Sequence, residues 1–223
     1  LKQMQERILH ATEEEINRSK IEILSGLMRL RQICDTPKLF MDDYDGESGK
    51  LESLRELLEQ IQGGNHRVLI FSQFRGMLDI IEEELGRIGL ESFKITGSTP
   101  AKDRQEMTKA FNQGERSAFL ISLKAGGVGL NLTGADTVIL VDLWWNPAVE
   151  AQAIGRAHRI GQERNVEVYR LITRGTIEEK IQELQETKRN LVSTILDGAE
   201  SRSSLSLEEI REILGISSES LEK

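Results

Sequence analysis

Short, mostly apolar runs alternate with longer amphipathic stretches through the middle of the chain. The runs cover residues 68–71, 93–95, 118–121, 138–141 and 166–172. Between them, residues 77–88, 100–111 and 147–159 carry apolar side chains at helical spacing. A strand covered on both faces has no need of polar alternation. Apolar strands separated by helices therefore predict an α/β fold: a parallel sheet with helices on both faces. Thr99-Pro100 and Asn146-Pro147 each set a capping side chain before a proline suited to the first helical position.

The flanks are helical in pattern. Ile8, Ile16, Ile23, Leu24, Leu27, Leu30 and Ile33 recur at near-helical spacing and predict one long helix over residues 1–34. Pro37 breaks that pattern, and the acidic stretch 41–49 predicts a loop. A second amphipathic helix is expected over 50–62, stopped by Gly63-Gly64. Near the other end, Thr176-Ile-Glu-Glu179 and Ser206-Leu-Glu-Glu209 have the spacing of capping boxes, each opening a helix. The first of these helices points Ile177, Ile181, Leu184, Leu191, Ile195 and Leu196 toward a core. Helical N-terminal and C-terminal extensions thus flank the sheet.

Composition narrows the function classes. The chain has 223 residues, 38% of them hydrophobic, and no apolar run of membrane-spanning length, so no membrane partner is expected. No signal peptide is visible and secretion is not expected; a start at Leu1 suggests a fragment of a longer protein. One cysteine, Cys34, excludes an internal disulfide and cannot by itself build a zinc cluster, so no metal site is expected. A net charge of −8 suits a general nucleic-acid binder poorly, so any such contact has to be local.

Three stretches carry candidate chemistry. In Gln152-Ala-Ile-Gly-Arg-Ala-His-Arg-Ile-Gly-Gln162, a helix beginning at Pro147 would set Gln152, Arg156 and Arg159 on one face. Two guanidinium forks there suit a phosphate, against the plainer reading of surface ion pairs. Gly155 favours the first, because glycine inside a helix costs about 1 kcal/mol and suggests a close backbone approach. Ser122-Leu-Lys-Ala-Gly-Gly-Val-Gly-Leu-Asn-Leu-Thr133 follows an apolar run, where parallel sheets bind ligands. Gly126, Gly127 and Gly129 would admit a phosphate to backbone N–H groups, with Ser122 and Lys124 adding a hydroxyl and a charge; a plain glycine loop is the alternative. Trp144 and Trp145, in Asp142-Leu-Trp-Trp-Asn-Pro147, suit base stacking or, more commonly, packing. Gly46-Glu-Ser-Gly-Lys50 is not a P-loop: two residues separate its glycines where four are needed, and Leu51 follows the lysine. It is expected to act as a linker and helix start.

The motif from Gln152 to Gln162 resembles the closing motif of the Swi/Snf family of DNA-dependent ATPases in helicase superfamily two. Further stretches are similar in family order. Leu27-Met-Arg-Leu-Arg-Gln-Ile-Cys-Asp-Thr-Pro37 resembles the segment joining the two lobes, and Ser48-Gly-Lys-Leu51 the start of the second lobe. Val68-Leu-Ile-Phe-Ser-Gln-Phe74 resembles motif IV; Ile95-Thr-Gly-Ser-Thr99 with Arg104 resembles motif IVa; residues 122–133 resemble motif V.

The resemblance implies a RecA-like second lobe over 48–175, preceded by a lobe-joining segment over 1–47 and followed by a brace helix and terminal helix over 176–223. It implies Arg156 and Arg159 as arginine fingers, with Gln152, Gly129 and Asn131 at the nucleotide. Ser72, Gln73, Gly97, Ser122 and Lys124 would contact the DNA backbone, with Trp144 and Trp145 near the DNA and the lobe interface. ATP with Mg2+ would be held mainly by the N-terminal RecA-like lobe of the same full-length chain. The partner would be double-stranded DNA, the state monomeric, and the location the cytoplasm or nucleoid in a bacterium or the nucleus in a eukaryote. Without the P-loop and acidic pair of the first lobe, this chain alone is expected to bind ATP weakly and not to hydrolyse it. A non-catalytic scaffold and a strand-separating helicase are the rival functions.

Overall fold

The computed structural model of the chain describes residues 2–9, 13–41, 43–123, 129–158, 165–194 and 205–216. Its centre is one sheet of five strands: β1 (Val68–Ser72), β2 (Ser92–Ile95), β3 (Ala118–Ser122), β4 (Thr137–Leu140) and β5 (Glu167–Arg170). They lie in the order β2-β3-β1-β4-β5, and every neighbouring pair is parallel. Val68 is in register with both Ala118 and Thr137, so the three central strands begin level. They also end nearly level, which gathers the turns beyond them along one edge.

The apolar runs form strands because both of their faces are covered. Val68, Ile70, Ala118, Leu120, Ile139 and Val141 point into a core shared with α4 (Gly49–Gly63) and α5 (Arg75–Arg87). The alternate residues Leu69, Phe71, Phe119, Ile121, Val138 and Leu140 pack toward α6 (Ala101–Asn112) and α7 (Pro147–Ile154). β5, at the sheet edge, leaves Glu167, Tyr169 and Arg170 exposed.

A second core lies outside the sheet. Among the described residues, the N-terminal extension holds α1 (Lys2–Leu9), α2 (Glu13–Arg18) and α3 (Lys20–Asp35) in place of the one helix expected. Ile8, Ile16, Ile23 and Leu27 meet Ile177, Ile181 and Leu184 of α8 (Ile177–Thr194), and Ile210 and Ile213 of α9 (Leu207–Ile213). Ile33, expected in the core, is 42% exposed. Leu143 and Trp145, just beyond β4, join this second core and tie the extensions to the sheet.

Helix starts differ in detail from their sequence signals. Asn146 caps α7 through Oδ1, which accepts from the Ala148 N–H at 3.0 Å. Thr99 does not cap α6; its Oγ1 accepts from Thr96 N–H at 3.0 Å, closing the loop after β2, and Pro100 takes the cap position. At α8 the expected box is shifted: Thr176 Oγ1 accepts from Glu178 N–H, and Glu179 Oε2 from Gly175 N–H. The Ser206–Glu209 box at α9 forms as expected. Among the described residues, no helix is long and apolar enough to cross a membrane.

Candidate functional site

Parallel sheets bind ligands beyond the carboxyl ends of their strands, and the candidate residues collect there. Gln73 follows β1, Gly97 lies in the turn after β2, Ser122 ends β3, and Trp144 and Trp145 follow β4. Lys124, Gly126 and Gly127 fall outside the described residues. Proximity to this edge does not mean access to solvent. Gly97 is exposed, Gln73 half-buried, Ser122 buried and Ser72 wholly enclosed.

Ser72 is turned inward by Asp142. The Ser72 hydroxyl donates to Asp142 Oδ2 at 2.5 Å, while Gln73 donates to Oδ1 from its backbone at 3.2 Å and from Nε2 at 2.7 Å. A carboxylate buried between strand ends needs such donors. In this structure the Ser72 hydroxyl, expected at the DNA backbone, is engaged by Asp142. Burial pushes the Asp142 carboxyl above its ordinary value, with nearby Arg31 and the Ser72 hydroxyl opposing the shift.

Arg31, from α3, completes this network. Nη1 donates to Gln73 Oε1 at 2.7 Å, Nη2 donates to the Leu143 carbonyl, and Asp142 Oδ1 lies 3.7 Å from Nη2. Its guanidinium carbon sits 4.3 Å from the Trp145 ring centre and 5.8 Å from that of Trp144, within cation–π range. Trp145 is buried and Trp144 half-buried, so both indoles are packed. Burial draws the guanidinium below its ordinary value, and Asp142, Asp35 and Glu178 counter the effect.

Beneath lies a second charged centre, whose pairing no sequence motif indicated. Lys50 Nζ contacts Asp35 Oδ1 at 2.8 Å, Glu178 Oε1 at 2.6 Å and the Val141 carbonyl at 2.9 Å. One ammonium thus joins α3, α8 and the end of β4. A signal was present: Lys50 occupies the apolar stripe continued by Leu54, Leu57, Leu58 and Ile61. Ser48 starts the helix, as expected, with Oγ accepting from Leu51 N–H.

Glu150 is a third hub without a sequence signal of its own. Oε1 accepts from Trp144 N–H at 3.2 Å and Gln185 Nε2 at 2.5 Å, and Oε2 lies 3.2 Å from Arg170 Nε and 3.6 Å from Arg189 Nη2. It fastens α7 to the Trp turn, to β5 and to α8.

Within the closing motif the regular helix ends before Arg156. α7 stops at Ile154 and Gly155 caps it, its N–H donating to Ala151 O at 2.9 Å. A Cβ at Gly155 would stand 3.2 Å from that carbonyl, so the close approach inferred for this glycine is to its own preceding turn. Gln152 is exposed on the helix, whereas Arg156, beyond its end, is buried at 2%. Arg156 Nη1 lies 3.5 Å from Leu130 O, and its own carbonyl accepts from Leu132 N–H at 3.0 Å. The structure thus joins Arg156 to the segment holding Gly129 and Asn131, while Gln152 faces solvent. Arg159 lies outside the described residues. Gly129 and Asn131 are exposed beside α6, lining a cleft of about 430 Å³ with Gln105, Thr108, Lys109 and Asn112. Among the described residues, no three His, Cys, Asp or Glu side chains are grouped to hold a metal ion.

Residues 49–161 match the helicase conserved C-terminal domain. The chain is 44% identical over 190 residues to the Mus musculus SWI/SNF-related matrix-associated actin-dependent regulator of chromatin subfamily A member 1, a match covering 79% of this chain and 18% of that protein. It is 46% identical over 153 residues to the chromatin-remodeling ATPase INO80 of Aspergillus oryzae, covering 68% and 11%. The chain therefore spans less than a fifth of these relatives. Among solved structures it is similar to a Sulfolobus solfataricus SWI2/SNF2 ATPase core in complex with dsDNA, with 34% identity, a TM-score of 0.72, and coverage of 95% of this chain and 45% of that one. It is also similar to the C-terminal part of the Fun30 ATPase domain, at 34% identity and a TM-score of 0.61, covering 82% and 56%. With its parallel sheet and these relatives together, the chain belongs to the helicase conserved C-terminal domain family, as a RecA-like lobe of the Swi/Snf group.

Proposed function

We propose that this chain is the second motor lobe of an ATP-driven translocase on duplex DNA. The observation that carries the reading is that the closing motif is bonded to the β3–β4 connection, Arg156 Nη1 to the Leu130 carbonyl and Leu132 N–H to the Arg156 carbonyl. Likeness to an ATPase core in complex with dsDNA, and to relatives named as chromatin-remodelling ATPases, supports it.

ATP is the substrate, bound between this lobe and a preceding one that supplies the phosphate cradle and the Mg2+ ligands. Gly129, Asn131 and Gln152 border the nucleotide on this side. Arg159 reaches toward the transferring phosphate. Arg156 adds positive charge from a buried position, where water screens it little. Gly97, in the turn after β2, and Ser122, at the end of β3, meet the DNA backbone together with Lys124. Gln73, Trp144 and Trp145 shape that surface from behind.

In the full-length enzyme, Arg159→Ala and Arg156→Ala are each expected to lower ATP turnover by about 10³–10⁵, the usual effect of losing an arginine finger. DNA binding should stay near wild type. Near-normal turnover in either variant would reject that residue as a finger.

A further inference from the structure

Arg31 comes from outside the sheet, yet it serves the sheet's functional edge. Among the described residues, its hydrogen-bond, ion-pair and ring partners outside α3 all belong to the turns after β1 and β4: Gln73, Phe74, Asp142, Leu143, Trp144 and Trp145. We infer that Arg31 is a positioning residue, through which the helix preceding the lobe sets Gln73 and the Trp144–Trp145 turn for DNA engagement. The inference rests on the translocase reading above.

Hydrogen bonding alone does not require Arg31 beside Asp142. That carboxylate already accepts from the Ser72 hydroxyl, the Gln73 N–H and Gln73 Nε2, and it stands 3.7 Å from the guanidinium. Arg31 directs its fork instead at Gln73 Oε1 and the Leu143 carbonyl. The Gln73 amide is consequently held at both ends, Nε2 on Asp142 and Oε1 on Arg31. The guanidinium also lies over Trp145.

A planar, forked cation does both jobs at once; an ammonium is a point charge without a plane to stack. Four residues further along α3, Asp35 meets Lys50, which in turn meets Glu178 of α8. α3 is thereby clamped to the end of β4 at two levels. A shift of α3 against the sheet would move Gln73 and the indoles together.

The test is ATP hydrolysis by the full-length enzyme titrated with duplex DNA, comparing wild type, Arg31→Lys, Gln73→Ala and the double variant, with thermal unfolding in parallel. Arg31→Lys keeps a cation beside Asp142 but loses part of the fork, so it should still fold and melt cooperatively, at a lower temperature than wild type. Its half-saturating DNA concentration should rise about tenfold while the rate at saturating DNA falls less than about threefold, a split that general loss of structure would not give. The double variant should fall short of the product of the two single effects, because the share of the Arg31 role that runs through Gln73 is lost only once. Half-saturation within about twofold of wild type in Arg31→Lys, or effects that simply multiply in the double variant, would overturn the inference. If Arg31→Lys fails to fold, Gln73→Ala decides alone: an unchanged half-saturation rejects the role. A wild-type enzyme without DNA-stimulated hydrolysis would instead reject the translocase reading itself.

Discussion

At the scale of single residues, buried charge governs this protein. Arg31, Asp35, Lys50, Asp142 and Glu178 are buried together, two cations against three carboxyls. Such a set is uncomfortable fully ionised. Burial, followed by the neighbouring Asp142, pushes the Asp35 carboxyl well above its ordinary value, and its Oδ2 has no hydrogen-bond partner among the described residues. A proton on Oδ2 would ease the excess negative charge. Burial opposes the Lys50 charge, but Asp35 and Glu178 outweigh it and leave its pKa raised. Lys50→Met should therefore be strongly destabilising, by about 3–5 kcal/mol, because it strands two buried carboxyls. Asp35→Asn should stay close to wild type. The signs also predict a pH profile. A carboxyl whose folded pKa exceeds its unfolded one contributes stability that is full below the ordinary carboxyl range and declines as pH rises toward the folded value. Lys50 contributes stability below the ordinary lysine range, lost as pH rises through its folded pKa. Urea midpoints measured from acid to alkaline pH should thus fall more gently in Asp35→Asn than in wild type. Parallel profiles would show that Asp35 holds no extra proton.

At the scale of elements, caps and hubs decide how helices meet the sheet. α7 is short because Gly155 ends it, and the turn beyond is held both by short-range bonds back to Ala153 and Ile154 and by Leu132 N–H on the Arg156 carbonyl. The spacing of Gln152, Arg156 and Arg159 was visible in sequence; the end of the helix between the first two was not, since glycine fits inside or after a helix. α8 meets α7 through Gln185, whose Nε2 serves both Glu150 and the Trp144 carbonyl. Gln185→Ala would leave that carbonyl without its donor and cost about 1–3 kcal/mol. Backbone amides of α8 should then exchange hydrogen faster than in wild type, ahead of those in β1 and β3. Uniform acceleration across the protein would instead mean that Gln185 stabilises globally and does not fasten α8 locally.

At the scale of the whole molecule, two cores share one seam. The sheet and its helices form the first, the two extensions form the second, and the turn carrying Leu143 and Trp145 belongs to both. With a net charge of −8, DNA contact through a few edge residues should be weak and lost steeply with salt. The chain by itself, supplied with ATP and duplex DNA, is expected to show no turnover above background. Sustained DNA-stimulated hydrolysis by this chain alone would contradict a phosphate site completed by another lobe. Strand identity, helix order and the motif register came from sequence alone, because apolar periodicity and capping are local properties of neighbouring residues. Which polar groups face outward did not. Ser72 and Arg156 are hydrophilic by composition and enclosed by packing, and Lys50 and Glu150 find partners more than thirty residues away or on other elements. Burial and long-range pairing depend on how distant segments meet, so only the tertiary structure decided them.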